Sequence, residues 1–432
     1  MSFWENGNER MKEEDVEQLQ LERLQSTLNR AYKNVPFYKK QFDALGIDPG
    51  ALGSLGDVQQ LPFTTREDLG RNYPYGMFAL PLRDIVRISS SMGTTPHPLV
   101  VGYTKGDLKT RSAVTARFLT AGGVGDTDVV QICLNPGLSN WGRALKEGAE
   151  EIGASVMPMS HMSTSKQLMA MEDYKTSVLL TTPSYAMHMM QVMEAIGTKA
   201  DALSLKAVLV TGEALLQEVR KRLESTLQVD VTAAYGLSDV TGPAVAFECA
   251  KKAGLHISDD HFLVEIVHVD EGTLCGPGEE GEVVLTTLTA KAFPLIRFKT
   301  GDLASKITGG CPCGRTLMRM SGISGYTGEV LTVRGVKVHP AQVGRIIDRI
   351  AQDFSPRFLI HLYRENYEDM IEIWLEVNDA VFSDEMKVLE SMLRHLGEQI
   401  LQILGLHVTI RLVEAETIDE QLARSGSVLD NR

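Results

Sequence analysis

Along the first eighty residues, apolar positions recur at helical spacing. VEQLQLERLQSTLNRAY, from Val16, sets its leucines on one face of a helix. VPFYKKQFDALG follows, with a stop at Gly46, and LPFTTREDL carries a Thr-x-x-Asp capping signal from Thr65 to Asp68. No catalytic pattern appears before Asp84, so this stretch reads as a packing and dimer-contact region.

From Ile85 to about Val240 the pattern changes to short apolar runs alternating with helical stretches. The runs are DVVQICL, SVMPMS, TSVLLTTP, KAVLVTGE and VDVTAAYG; WGRALKEGAEEIG, SKQLMAMEDY, YAMHMMQVMEAIG and LLQEVRKRLES lie between them. That alternation predicts a mostly parallel sheet covered by helices. Ligands of such sheets bind beyond the carboxyl ends of the strands. Those ends read LNPG, MSHMS, TTPSY, TGEA and YGLSD, small and polar as a binding rim requires.

From about Glu248 to Gly322, GEVVLTTLT and IRFKTGDLASKI predict antiparallel strands in a β-rich subdomain. From Gly325 the order strand, helix, two strands, helix, strand is the βαββαβ pattern of a ferredoxin-like α+β domain. The expected class is therefore α/β, with a helical segment over 1–84, a binding core with its β-rich subdomain over 85–324, and a small separate domain over 325–432.

The formal net charge of −13 argues against nucleic acid or an anionic membrane as the main partner. No apolar run is long enough to span a bilayer, and the acidic start is unlike a signal peptide. A cytoplasmic, reducing location is the expectation, in which the five cysteines are thiols or metal ligands.

The candidate chemistry lies in four ordered segments. SSSMGTTPHPLVVGYT, from Ser89 to Thr104, is a hydroxyl- and glycine-rich turn before a helix that Thr104 and Asp107 can cap. Such a turn brings backbone N–H groups and hydroxyls close to phosphate oxygens, although the Walker lysine pattern is absent. TGEAL holds Glu213, AAYGLSDVTGP holds Tyr235, Ser238 and Asp239, and IRFKTGDLA holds Asp302. Together they resemble the ordered motifs of acyl- and aryl-CoA synthetases. ERMKEEDVEQLQLERL, VPFYKKQFDALG, LPFTTREDL, NYPYGMFALP, GLHISDDHF and VRGVKVHP narrow the resemblance to the phenylacetate–coenzyme A ligase family of adenylate-forming enzymes, along nearly the whole chain.

That resemblance implies a large adenylate-forming domain, a mobile C-terminal domain and an ATP-dependent, two-step reaction. A small carboxylic acid attacks the α-phosphate of ATP, and coenzyme A thiolate then displaces AMP. It assigns Ser90, Ser91, Gly93, Thr94 and Thr95 to the phosphate loop, with Thr94 and Ser238 among the catalytic donors. It places Tyr235, flanked by Ala234 and Gly236, beside the adenine, and gives Asp302 the ribose hydroxyls. Asp239 stands where the family usually has glutamate and would help hold Mg²⁺. Glu213, Arg334 and Gly335 are further cofactor-side candidates, and a homodimer is implied.

The sequence also departs from the family. The loop continues Pro96-His97-Pro98 where Gly-Lys-Pro is usual. The hinge reads Gly325-Tyr326-Thr327-Gly328-Glu329, without the usual arginine. The tail ARSGSVLDNR offers Arg424 but no lysine after Lys387. Asn135 and Ser139 stand where aromatic family members tend to have bulkier residues, so the resemblance does not extend to the acid itself. Two other readings stay open: a degenerate relative that binds nucleotide or acyl-CoA, and an adenylating enzyme with another acceptor.

Cys311-Pro-Cys313-Gly and the Cys249…His256 pair of CAKKAGLH form a Cys₃His set suited to tetrahedral zinc. Some family members carry the same elements. With four protein ligands the site would be structural. His261 is a possible substitute ligand, while Cys133 and Cys275 read as plain buried cysteines.

Overall fold

A computed structural model describes residues 2–91, 99–134, 138–160, 162–240, 242–328, 331–338, 340–350, 357–365, 368–376, 386–414, 417–418 and 428–432. The large body is organised on one twelve-stranded sheet. Its parallel part runs, edge inward, through Ser155–Pro158, Val129–Ile132, Val178–Thr181, Ala207–Thr211 and Asp230–Leu237. Helices Ser139–Ile152, Thr164–Asp173, Pro183–Ile196 and Gln217–Leu227 connect these strands, because parallel neighbours cannot be joined by a tight turn. Helices cover both faces, so Val178 to Thr181 and Ala207 to Thr211 are buried without alternation.

The sheet continues antiparallel through Gly242–Phe247, Leu255–Ile257, Arg319–Met320, Phe298–Ile307, Glu280–Thr287 and Phe262–Val267. The β-rich part thus shares one hydrogen-bonded ladder with the parallel part. The described flanks of the hydroxyl-rich segment, Arg87–Ser91 and Leu99–Tyr103, lie outside this sheet and pair antiparallel as a two-stranded ribbon.

The C-terminal body has its own core, with Val343, Ile347, Ile360, Ile371, Ile373 and Ile400 packed together. Helices Pro340–Ile350 and Met386–Leu404 accompany a four-stranded sheet ordered Thr409–Val413, Glu368–Glu376, Phe358–Glu365, Val428–Asn431. The α+β character expected for this part is present, but the strand order differs. Leu331–Val333 pairs with Val336–Val338 as a separate hairpin. Val428–Asn431 joins the sheet parallel to Phe358–Glu365. VLDN is too short and polar to announce itself as a strand.

Both expected capping boxes form. Thr65 Oγ1 accepts from Asp68 N at 3.2 Å while Asp68 Oδ2 accepts from Thr65 N at 2.9 Å. Thr104 and Asp107 repeat the arrangement, and the Asp107 carboxylate also accepts from Lys291 N and Ala292 N at 2.7 and 3.2 Å. Helix Pro36–Leu45 stops at Gly46 in the left-handed conformation, φ 67°. Among the described residues, no helix is long and apolar enough to cross a membrane.

Several charges are buried, and nearly all are paired, as desolvation demands. Arg117, fully buried, donates to both Asp260 oxygens at 2.8 and 3.1 Å. Glu9 and Arg315 form an equally buried pair at 2.6 Å that pins the N-terminal segment to the antiparallel strands. Asp259 is held differently. Met318 N donates to its Oδ2 at 2.8 Å, but its buried Oδ1 has no partner. Burial first, and the neighbouring Asp260 second, push its carboxyl up to about 7. The folded protein therefore holds this proton more tightly than the unfolded chain does. Its contribution to stability is complete below about pH 4 and is lost as pH rises to about 7. Asp259→Asn removes that titration. Relative to the parent, the variant should gain on the order of 1–3 kcal/mol of stability between pH 5 and pH 8, read by urea unfolding at both pH values. A difference independent of pH would refute the assignment.

Candidate functional site

The rim of the parallel strands and the antiparallel strand Phe298–Ile307 converge on one pair of side chains. Tyr235 lies near the carboxyl end of Asp230–Leu237, and its Oη donates to Asp302 Oδ2 at 2.7 Å. They are 9% and 1% exposed. Burial, reinforced by the Asp302 charge, pushes the phenol well above its ordinary range, so the proton stays on Tyr235. The next residue must be glycine. A β-carbon on Gly236 would lie 2.0 Å from Gly242 O, where the chain doubles back onto Gly242–Phe247.

Sequence reading missed the third member, Arg66. Thr64 forms a parallel bridge with Phe298: Thr64 N donates to Arg297 O at 3.0 Å and Lys299 N to Thr64 O at 2.9 Å. That splice, and the capped turn at Thr65, set Arg66 beside Gly301 and Asp302. Its Nε and Nη2 donate to Asp239 Oδ2 at 3.1 and 3.0 Å, and its guanidinium lies 6.0 Å over the Phe298 ring. Burial opposes the charge, but Asp239 and Asp302 outweigh it and hold the guanidinium firmly protonated. The capping signal was readable in LPFTTREDL. The partnership with Asp239 was not, since 173 residues separate the two.

The remaining candidates are spread over several elements. Ser238 accepts from Trp141 Nε1 at 2.8 Å, a second contact that sequence did not reveal. Glu213 accepts from Ser184 N at 3.0 Å and Ser184 Oγ at 2.7 Å, at the N-terminus of helix Pro183–Ile196. It holds that helix end, where a carboxylate is stabilised by the exposed N–H groups. Gly335, φ 78°, turns the hairpin Leu331–Val338 against the large body; a β-carbon there would come within 2.9 Å of Leu138 Cδ1 and 3.4 Å of Gly212 O. Arg334 does not reach the rim. Its Nη2 donates to His407 O at 2.6 Å, inside the C-terminal body.

Ala234 is buried beside Tyr235, and Ser90 is exposed on the ribbon, its carbonyl accepting from Asn140 Nδ2 at 3.4 Å. Ser91 ends the same strand. Gly93, Thr94 and Thr95, with the Pro96-His97-Pro98 departure, lie outside the described residues, as do Asn135, Glu329 and Arg424 and the side chain of Ser139. A cavity of about 270 Å³ opens between the described groups, with Trp141, Glu213, Tyr235, Asp302 and Tyr326 on its walls. Tyr326 enters it through the strand Gly325–Tyr326, which pairs with Asp302 and Leu303.

Away from the rim, Cys249, His256, Cys311 and Cys313 come together, all buried, each ligand atom within 4.8 Å of the others. Cys249 Sγ lies 3.7 Å from Cys311 Sγ, and Cys313 Sγ 3.5 Å from His256 Nε2. A tetrahedral zinc with bonds of about 2.3 Å to sulfur and 2.0–2.1 Å to nitrogen implies separations of roughly 3.8 and 3.6 Å. Lys251 N and Arg315 N donate to Cys249 and Cys313 sulfurs at 3.4 Å each. Burial, aided by Arg315 and Arg319, pushes His256 down to about 4, which keeps the imidazole neutral as a ligand must be. His261 is elsewhere, with its Nδ1 3.0 Å from Thr289 Oγ1. Cys133 is buried as expected, but Cys275 is half-exposed.

A family model for AMP-binding enzymes matches residues 148–289, and one for the AMP-binding enzyme C-terminal domain matches 335–432. Phenylacetate-coenzyme A ligases of Aromatoleum evansii, Escherichia coli and Thermus thermophilus are 36%, 35% and 37% identical to this chain. The matches cover 98%, 97% and 94% of this chain and 96%, 95% and 93% of theirs. A solved 2-hydroxyisobutyryl-CoA ligase, in complex with 2-HIB-AMP and CoA in the thioesterification state, superposes with a TM-score of 0.91. It is 22% identical and covers 99% of this chain and 92% of its own. The same ligase in its postadenylation state gives a TM-score of 0.72 over the same spans.

Glu213→Ala should leave the helix end at Ser184 without its carboxylate partner. A loss of about 1–3 kcal/mol follows from removing two charge-assisted hydrogen bonds, read as a lower urea midpoint. An unchanged midpoint would show that Glu213 does not hold the helix.

Proposed function

The chain belongs to the phenylacetate–coenzyme A ligase family, and on that premise we propose that it joins a small carboxylic acid to coenzyme A through an acyl-adenylate. ATP supplies the adenylyl group and leaves as pyrophosphate; the coenzyme A thiolate then releases AMP. The observation that carries this reading is the Tyr235–Asp302 pair walled into one cavity, with the Arg66 charge close to Asp302.

Asp302 offers a buried acceptor to the ribose hydroxyls, and Tyr235 holds the orientation of that carboxylate while lending its ring to the adenine. The hydroxyls of Ser238 and of the Ser90–Thr95 segment, Thr94 included, are donors for the phosphates. Arg66 deepens the reading, because the usual lysine and arginine are missing from loop, hinge and tail. A preorganised guanidinium in a water-poor site stabilises charge as it develops on a transferring phosphate. We assign that role to Arg66, with Asp239 keeping it in place until the nucleotide arrives. The Gly335 turn seated against Gly212 supports a role for the C-terminal body in closing the site around coenzyme A.

Magnesium does not fit Asp239 as the structure stands. That carboxylate is neutralised by Arg66, and among the described residues Asp239 belongs to no group of three or more metal-ligating side chains. Zinc does fit the Cys₃His set, on the match of the Cys249–Cys311 and Cys313–His256 separations to tetrahedral edges. Cys249, His256, Cys311 and Cys313 would hold it, and it would clamp the antiparallel strands without taking part in chemistry.

Turnover of ATP with a panel of aryl and aliphatic acids, with and without coenzyme A, tests the activity. AMP and pyrophosphate should accumulate with coenzyme A and one class of acid. Arg66→Ala should lower kcat/KM by about 10²–10³-fold, measured below a melting temperature that also falls because Asp239 loses its ion-pair partner. Calorimetry that detects no uptake of ATP, AMP or an acyl-AMP mimic would sink the ligase reading. Full activity in Arg66→Ala would sink only the role of Arg66.

Metal analysis of purified protein should find about one zinc per chain. Cys311→Ser should lose it and melt at lower temperature. A metal-free protein of equal stability would rule the structural site out.

A further inference from the structure

One group of metal-ligating side chains is used neither by the rim nor by the Cys₃His set. Strand Phe262–Val267 passes to Glu280–Thr287 through a connection that folds back twice. His268 N donates to Thr273 O at 2.8 Å, Val267 bridges Leu274, and Glu279 N donates to Gly276 O at 3.1 Å. Gly272 and Gly278, at φ 69° and 81°, permit the two turns. The result brings His268, Cys275 and Glu279 together, with one ligand atom of each within 4.8 Å of the others. His268 Nε2 stands 3.8 Å from Glu279 Oε2.

The three are built into the connection rather than scattered on a surface. A β-carbon at Gly281 would come within 2.5 Å of Cys275 Sγ, so the thiol occupies space that only glycine leaves open. Glu279 Oε2 accepts from Gly276 N at 2.7 Å, which fixes its carboxylate over the turn. The His268 and Glu279 side chains are 43% and 59% exposed, so an ion can enter from solvent. Imidazole nitrogen, thiolate sulfur and carboxylate oxygen together suit a borderline cation such as Zn²⁺ or Co²⁺, and are a poor set for Mg²⁺ or Ca²⁺. Three protein ligands leave a tetrahedral ion one position for water.

The geometry points to a second metal site at His268, Cys275 and Glu279, binding a zinc-class divalent cation with one coordination position open to solvent. It differs from the Cys₃His set in every respect that governs exchange. Its ligands are accessible, they number three, and they lie on one connection. Binding releases the Cys275 proton to solvent as the sulfur–metal bond forms.

The test uses full-length protein with its buried zinc retained, titrated with Co²⁺. One further equivalent should bind and produce thiolate-to-cobalt charge-transfer absorption. Cys275→Ser should abolish that absorption, and His268→Ala should weaken binding at least tenfold, while ligase turnover and the melting temperature without added metal stay unchanged. Zn²⁺ but not Mg²⁺ should also slow alkylation of Cys275 in the unaltered protein, a readout that needs no variant to fold. Absorption that never appears, that survives Cys275→Ser, or an affinity indifferent to His268→Ala would overturn the site, as would alkylation unaffected by Zn²⁺.

Discussion

The hydrogen bond from Tyr235 to Asp302 is the joint on which the molecule turns. It connects the last parallel strand to a strand from the antiparallel side, across several intervening strands of one sheet. A buried carboxylate is costly unless charge and hydrogen bonds compensate it. Tyr235 supplies the hydrogen bond and Arg66 the nearby charge. The compensation comes from three distant parts of the sequence, so the pocket exists only when all three are assembled.

Arg66 shows how the assembly is enforced. Nothing in its own short helix would hold a guanidinium under cover. The Thr64 splice onto Phe298 and the Thr65 cap do so, and Arg297 reinforces the splice. Arg297 adopts a left-handed φ of 44° and is buried against Glu265, with Nε and Nη2 donating at 3.1 and 2.9 Å. Such a backbone state costs on the order of 1 kcal/mol, and the paired guanidinium compensates for it. Strain and buried charge thus concentrate next to the site, where a loose segment would let the cation drift.

Much of this was legible in the sequence, and the limits have physical causes. Parallel strands announced themselves because burial on both faces leaves continuous apolar runs. Capping boxes were visible because their partners are three residues apart. Tyr235, Ser238 and Asp302 stood in recognisable segments. What escaped reading were contacts between remote residues, such as Arg66 with Asp239 and Trp141 with Ser238, which no local spacing encodes. The strand Val428–Asn431 escaped because its pairing with Phe358–Glu365, not its composition, makes it a strand. Cys275 was misjudged because burial of a lone thiol depends on the turn around it. Glu213 lay at the expected strand end, but its partners at Ser184 could be identified only from coordinates.

The hinge strand has a mechanical implication. Gly325–Tyr326 is laddered onto the very residue that would receive the sugar, and Thr327 N donates to Gly301 O at 2.7 Å. The swivel is thus bolted to the floor of the seat. Any swing of the C-terminal body is pushed past Thr327 to Gly328, whose φ of 73° marks the first joint with glycine's freedom. A ligand held at Asp302 and a turn at Gly328 would share a single stretch of backbone.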